Sequence, residues 1–479
     1  MAENAIGQPE AFIDREWELA QLEEIWREPN ARLVTVWGQR RVGKSTLLGR
    51  FASDKRAIYL YGTRVTEQDI LNDLAAQLRA SLIDPDLLPG EFPDWGSALS
   101  FLAANARDER LLLVFDEFQF LCEVTPGLDT LVQRWWDRIR SRANIMIIIS
   151  GSAFSFMLGL TGTTGPLHGR RTDQFELKPF DYYDAGSFFG HLPAIDRIRA
   201  YACLGGLPAY LQYGTNWGSV RDLVIGTLLN PRHVLFREGE ELLRTEFHQE
   251  TLYASILRAV AAGEHRPSDI ARAVGRDRAA EIFDHLRRLQ EIQFLRREVS
   301  ITEVEKTRTQ RSVYRLADPY LRFWFRYVAP NQASIQLRCA SQIWSDEIAP
   351  DFDEFVAGTT WEEVCEQYLW RLVGADRLPA SIQRLGRWWD GQDEIDLVGT
   401  RRGKVTLVGE CKWTASPVGM RVLDNLRRKA LKLDTIARPL WVLASRSGFE
   451  PEVRQRAEQG DLLLIGPDDL FAPEMERPL

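Results

Sequence analysis

Cysteine is scarce and scattered in this 479-residue chain. Its five cysteines, Cys122, Cys203, Cys339, Cys365 and Cys411, include no C-x-x-C pair. That spacing argues against a disulfide framework and against a zinc ribbon. The six histidines show no ligand spacing either. Long apolar runs are missing. The longest, Leu111–Phe115 and Ile145–Ile149, fall far short of the ~20 residues a membrane-spanning helix needs. Met1–Glu10 has no basic-then-apolar leader. Positive charge is not in excess: 60 Lys and Arg stand against 68 Asp and Glu, a net charge of −8. This excludes a uniformly basic nucleic-acid binder and leaves room for a local basic face. No period of about 20–50 residues repeats. What remains, 45% hydrophobic and 27% charged, is ordinary for a globular protein. The expectation is a soluble, cytoplasmic protein of about three domains.

What is present begins at Arg32. An apolar, β-branched run ends at Gly38, and Gly43, Lys44 and Ser45 follow. This G-x-x-x-x-G-K-S run lies between an expected strand and an expected helix starting at Thr46, the setting of a phosphate-binding loop. Glycines let successive N–H groups turn toward a phosphate, and the helix aims its positive end at the same point. The expected ATP-binding set is Gly38, Gln39, Arg40, Arg41, Val42, Gly43, Lys44, Ser45 and Thr46. Lys44 is assigned to the β- and γ-phosphates and Ser45 to Mg²⁺. Upstream, Phe12–Glu16 opens an amphipathic helix with Leu19, Leu22, Ile25 and Trp26 on one face. It reads equally as a capped helix packing on the sheet or as an adenine-side lip.

Ala57–Tyr61 reads as a second strand, and helices follow at Glu67–Ser81 and Asp94–Ala106. Leu111–Phe115 is an unbroken apolar run that ends in Asp116 and Glu117. Such a run suits a parallel strand buried on both faces, with its acids emerging where open α/β sheets bind ligands. Asp116 is expected on Mg²⁺ and Glu117 on the attacking water. A basic helix, Arg134–Arg142, carries Trp135 and Trp136; a buried strand, Ile145–Ile149, then ends at Ser150-Gly151-Ser152. Ser152 suits a contact with the γ-phosphate or water, or a plain strand-end turn. Arg170 and Arg171, after a glycine-rich stretch, are candidates for an arginine finger or simple surface charge.

These motifs, together with Leu204-Gly205-Gly206-Leu207-Pro208-Ala209-Tyr210, resemble the archaeal-type AAA-family ATPases, relatives of the signalling STAND class. The resemblance runs over most of the chain. It implies a helical lid whose Gly-Gly-x-Pro element approaches the nucleotide, and so a role for Pro208. The residues alone show only a helix stop and turn there. Asp181–Leu243 suits such a lid. Helices at Leu252–Ala262, Pro267–Val274 and Arg278–Leu289, then strands Phe294–Val299 and Ser312–Leu316 around a polar tip at Glu303–Gln310, make a winged-helix pattern. Lys and Arg outnumber Asp and Glu between Glu250 and Pro330. That composition fits a DNA-reading helix or internal packing. Asp318–Tyr327 is an aromatic helix that reads as core or interdomain packing.

Toward the C-terminus a helix at Trp361–Leu372 precedes Gly386–Asp390, Asp393–Val398, a turn at Arg402-Gly403, Val405–Trp413, a further helix and a last strand, Pro439–Leu443. Asp396 lies on one strand. Glu410 and Lys412 alternate on the next and so share a face. Two carboxylates suit Mg²⁺, and metal-assisted phosphodiester hydrolysis needs such a group. Asp396, Glu410 and Lys412 resemble the PD-(D/E)-x-K, restriction-endonuclease-like nucleases, and the resemblance implies Glu362 as a further metal ligand. The Gly-Arg-Trp-Trp-Asp element at Gly386–Asp390 looks like the version found in the archaeal-type ATPases.

The fold class read from the sequence is α/β. It comprises a P-loop NTPase (AAA-like) core at 1–180, a helical lid at 181–245, a winged helix at 246–330 and a restriction-endonuclease-like αβ domain at 331–479. The functional expectation is an ATPase that couples nucleotide state to DNA binding or Mg²⁺-dependent cleavage, with Glu117, Asp396, Glu410 and Lys412 as catalytic residues. The alternatives are a nucleotide-dependent switch whose nuclease-like fold serves protein contacts, and an ATPase motor without cleavage. DNA, a protein partner and self-association all stay open as partners; a membrane does not.

Overall fold

The computed structural model describes residues 13, 15–81, 91–106, 109–247, 250–303, 312–337 and 339–472. Expectations placed on Met1–Glu10, Phe12, Asp14 and residues 304–310 lie outside the described residues. The chain divides into two units, Met1–Pro179 and Phe180–Pro478. Among the described residues no helix is long and apolar enough to cross a membrane.

In the first unit five parallel strands stand in the order β2-β3-β4-β1-β5. They are β1 (Arg32–Gly38), β2 (Ala57–Tyr61), β3 (Leu111–Asp116), β4 (Ile145–Gly151) and β5 (Asp173–Leu177). Parallel strands need cover on both faces, and the two central ones show why their sequences are apolar throughout: every residue of β3 and β4 is buried. Placing β4 between β1 and β3 sets the phosphate loop and the strand-end acids two strand spacings apart, about 10 Å. The gap at their carboxyl ends is where a ligand fits. β5 escaped sequence reading. Asp173–Leu177 alternates exposed and half-buried residues along a sheet edge, so it lacks the apolar run that marks the others. The basic helix expected at Arg134–Arg142 spans Leu128–Ile139 instead, beginning after Gly127 with its φ of 86°. Its Trp135 and Trp136 are buried in the core.

The second unit opens with short helices: Tyr182–Ser187, Ala194–Leu204, Pro208–Leu211, Val220–Gly226 and Val234–Glu246. Helices Glu250–Ala261, Pro267–Ala273 and Phe283–Glu291 precede the antiparallel pair β6 (Leu295–Glu298) and β7 (Val313–Leu316). The aromatic stretch from Pro319 to Val328 is helical and, apart from the exposed Arg326, buried. Tyr320 donates its hydroxyl proton to Leu235 O at 2.8 Å and Trp324 its indole proton to Phe236 O at 2.9 Å. These side chains therefore pack inside the unit.

A second five-stranded sheet, ordered β12-β11-β10-β9-β8, closes the chain. Its strands are β8 (Arg384–Trp389), β9 (Glu394–Arg401), β10 (Lys404–Lys412), β11 (Thr435–Ser445) and β12 (Leu462–Ile465). The first three form an antiparallel meander, and β10, β11 and β12 run parallel. The chain was expected to end its sheet at β11; β12 is four residues long and carries no period that tells strand from helix. Ile301, just after β6, joins the core of this sheet with Ile395, Val398 and Val408. The last helix, Pro467–Leu470, delivers Phe471 onto the helix Tyr182–Ser187. There Tyr182 donates its hydroxyl proton to Leu470 O at 3.0 Å, and a Cβ on Gly186 would lie 2.3 Å from the Phe471 ring.

Phe115, fully buried in the middle of the first sheet, tests this packing. Phe115→Ala should cost about 3–5 kcal/mol, read as a lower denaturant midpoint at unchanged slope. A loss under about 1 kcal/mol would mean the strand is not packed on both faces.

Candidate functional site

At the carboxyl end of β1 the chain turns through left-handed backbone at Arg41 (φ 68°) and Gly43 (φ 94°). Gly43 then caps the helix Lys44–Ala52. Gly38 is required by close approach: a Cβ there would lie 2.3 Å from Leu177 O, at the end of β5. Arg15 braces this junction from below. Its buried guanidinium donates to Val42 O at 3.2 Å and to Lys178 O at 2.8 Å, so the first motif holds the loop. Lys44 is only 4% exposed and donates to Gly38 O and Gln39 O, both at 3.0 Å. Burial pushes its pKa down, opposed by the charges of Glu117, 3.9 Å away, and Asp116.

Asp116 is fully buried. Its Oδ1 accepts from Ser150 Oγ at 2.6 Å and from Glu117 N at 3.0 Å; its Oδ2 accepts from the Tyr59 hydroxyl at 2.6 Å. Burial, and then the charge of Asp116 and the hydrogen bond to it, push the Tyr59 pKa up. Ser45 and Asp116 thus offer a hydroxyl and a carboxylate, hard oxygens of the kind Mg²⁺ takes. Glu117, in left-handed backbone at φ 50°, accepts from Ser152 Oγ at 2.7 Å, from Ser152 N at 3.2 Å and from Gln119 Nε2. The structure therefore brings together Lys44, Ser45, Asp116, Glu117 and Ser152.

The arginines divide. Arg170 is taken by Asp137, both carboxylate oxygens 3.0 Å from its Nε, an engagement that counts against it as a free finger. Arg171 lines a cavity of about 170 Å³ with Thr35, Trp37, Thr161 and Gln174. Pro208 begins the helix Pro208–Leu211 in the second unit.

The second cluster lies on β9 and β10. Asp396 and Glu410 are both buried. Asp396 Oδ2 accepts from Cys411 N at 2.8 Å. Burial, and then the charges of Glu362 and Glu410, push its carboxyl pKa up to about 7. Glu410 accepts from Lys412 Nζ at 2.7 Å and from Lys429 Nζ at 3.1 and 3.0 Å. Burial works against the Lys412 charge, but the hydrogen bond and charge of Glu410, with the charge of Asp396, together outweigh it and raise the pKa. Glu362 heads the helix Glu362–Gly374 and pairs with Arg387 at 3.2 Å. Among the described residues no three His, Cys, Asp or Glu side chains form a ready group for a metal ion; Glu362 is paired with Arg387, and Glu410 with Lys412 and Lys429.

Sequence reasoning missed Tyr59, Gln119, Arg15 and Lys429. Gln119 was within reach, two residues past Glu117. Tyr59 and Lys429 depend on which elements become neighbours, and spacing carries no signal for that.

Residues 12–213 match the model of an ATPase domain predominantly from Archaea. Residues 324–426 match a model described as archaea bacterial proteins of unknown function. The chain carries a P-loop ATPase domain over residues 12–213. Among its relatives is an uncharacterized protein of Methanocaldococcus jannaschii, 29% identical over 408 residues, which are 84% of this chain and 87% of that one. Similar solved structures include a Walker-type ATPase of Pyrococcus abyssi, 23% identical, covering 66% of this chain and 96% of that chain with a TM-score of 0.48. Another is the Aeropyrum pernix ORC2 protein, 15% identical, covering 71% and 98% with a TM-score of 0.40.

Lys44→Ala should abolish nucleotide binding, whereas Glu117→Gln should keep binding and stop turnover, as read by fluorescent-nucleotide titration beside phosphate release. Wild-type hydrolysis in Lys44→Ala would overturn the assignment of this loop.

The raised pKa of Asp396 has its own signature. Because the folded state holds this proton more tightly, its contribution to stability is complete below the ordinary carboxyl pKa of 3.8 and is lost as pH rises through about 7. Asp396→Asn should remove that part of the decline, leaving a flatter stability profile between these limits in pH-dependent denaturation. An unchanged profile would show that Asp396 does not titrate in this range.

Proposed function

We propose that the ATPase works on Mg²⁺–ATP and couples its nucleotide state to DNA, with phosphodiester hydrolysis at the Asp396, Glu410 and Lys412 cluster. In this reading Gly38 to Thr46 hold the phosphates, Ser45 and Asp116 serve the metal, and Glu117 polarises the attacking water. The observation that carries the second half is the juxtaposition on β9 and β10. A carboxyl group with its pKa near 7 lies on the strand beside a buried carboxylate, and that carboxylate is 2.7 Å from a lysine ammonium. Such a site supplies oxygens for a cation and a cation to steer a phosphate. Helices Glu250–Ala261, Pro267–Ala273 and Phe283–Glu291, with β6 and β7, are read as a winged helix that bears on DNA. Arg287 on the third helix and Arg278, just before it, are 71% and 80% exposed.

A specific observation favours a second reading. Lys412 and Lys429 already balance Glu410, and Arg278, Arg287 and Arg288 each pair with an acid three residues on or back. A site and a helix so neutralised suit a nucleotide-dependent switch that contacts protein.

Purified protein incubated with Mg²⁺, ATP and a mixture of plasmid, linear and single-stranded DNA separates the two. Cleavage by the wild type that disappears in Asp396→Ala, while ATP turnover survives there, supports the nuclease. Intact DNA throughout, with ATP consumed, removes it in favour of the switch.

A further inference from the structure

Tyr59 reaches the acid end of β3 from the sheet edge, its hydroxyl on Asp116 at 2.6 Å, and its surroundings are built to hold it. Its neighbours Ile58 and Leu60 face the core and are buried, so alternation sends Tyr59 to the other face. The strand is an edge strand, yet its backbone at this residue is not left to solvent. Gln77, on the helix Glu67–Ser81, accepts from Tyr59 N at 2.8 Å and donates to Tyr59 O at 2.8 Å. One amide side chain thus closes both backbone groups of this residue and fixes the root of its ring.

The other end of the ring is fixed by hydrogen-bond arithmetic. A phenol has one proton to donate. Tyr59 gives it to Asp116 Oδ2 at 2.6 Å, which leaves only lone pairs on the phenol oxygen. Asp116, held on its other oxygen by Ser150 at 2.6 Å, keeps one rotamer.

We propose that Tyr59 is a positioning residue of the ATPase site, whose hydroxyl orients Asp116 so that this carboxylate serves Mg²⁺ of the nucleotide complex. This rests on the reading of Asp116 as a residue of the metal. Tyr59 acts through that carboxylate. Outer partners of metal-binding side chains characteristically change metal affinity on the order of ten- to a hundredfold when removed.

The test measures binding. A non-hydrolysable ATP analogue is titrated calorimetrically into wild type, Tyr59→Phe and Asp116→Asn, first with chelator and then across Mg²⁺ concentrations. Tyr59→Phe should bind the analogue normally without Mg²⁺, melt close to the wild type, and need about tenfold more Mg²⁺ for half-maximal tightening. If Asp116→Asn shows that rise and Tyr59→Phe does not, the positioning role is overturned and the metal reading stands. If neither variant shows it, the metal reading falls as well. Should Tyr59→Phe fail to fold, 3-fluorotyrosine placed at position 59 keeps the hydroxyl. Its fluorine resonance should move when Mg²⁺ is added to the protein–analogue complex, and a resonance indifferent to Mg²⁺ refutes the proposal.

Discussion

A lysine ammonium taken out of water must be answered by oxygen, and the first unit is arranged around that demand. Lys44 is buried at the mouth of the loop, where an unpaired charge would be untenable. Its own loop supplies two carbonyls, and β3 supplies the carboxylates. Those groups can meet only if β1 and β3 end at the same level and the strand between them ends in something small and polar. β4 meets this with Ser150-Gly151-Ser152, whose two hydroxyls both turn to the acids of β3. A parallel sheet secures the common level, because the register of β1 on β4 and of β3 on β4 pairs Thr35 and Phe115 with the same Ile149.

The second unit solves a similar problem with many charges. Arg296 and Arg322 share Glu363, at 2.9 and 2.7 Å, and Arg371 bridges Asp181 and Asp184 at 2.6 and 2.5 Å. Interior ion pairs of this kind add little net stability, since desolvation consumes most of the attraction. The network ties β6 to the helix Glu362–Gly374, and Ile301 carries the same segment into the core of the final sheet. The cluster around Asp396 thus lies in a sheet whose core also takes in Ile301.

How much of this could be read in advance depended on where the information resides. The phosphate loop is contiguous and its chemistry is backbone chemistry, so eight residues announce it. β1 to β4 announce themselves as apolar runs. β5 does not, because an edge strand with Asp173, Gln174 and Glu176 looks like a loop. Asp396, Glu410 and Lys412 could be placed on one face by alternation alone. Lys429 could not, since only the packing of helix Met420–Ala430 on β10 delivers it to Glu410. Tyr59 is the same case: nothing near it in the chain says that β2 lies beside β3. Long-range adjacency, more than local propensity, separated the legible from the illegible.

The seat of Phe471 on Gly186 has an evolutionary corollary. The ring fills the volume that any side chain at position 186 would occupy, and Tyr183 stacks on it at a centroid distance of 6.4 Å. The two positions therefore cannot drift independently. A lineage that acquires alanine at 186 must first shrink the residue at 471, and one that loses the ring leaves a void that a bulkier residue at 186 can fill. Substitutions at these two sites should appear as matched pairs among relatives, a covariation that follows from a single contact.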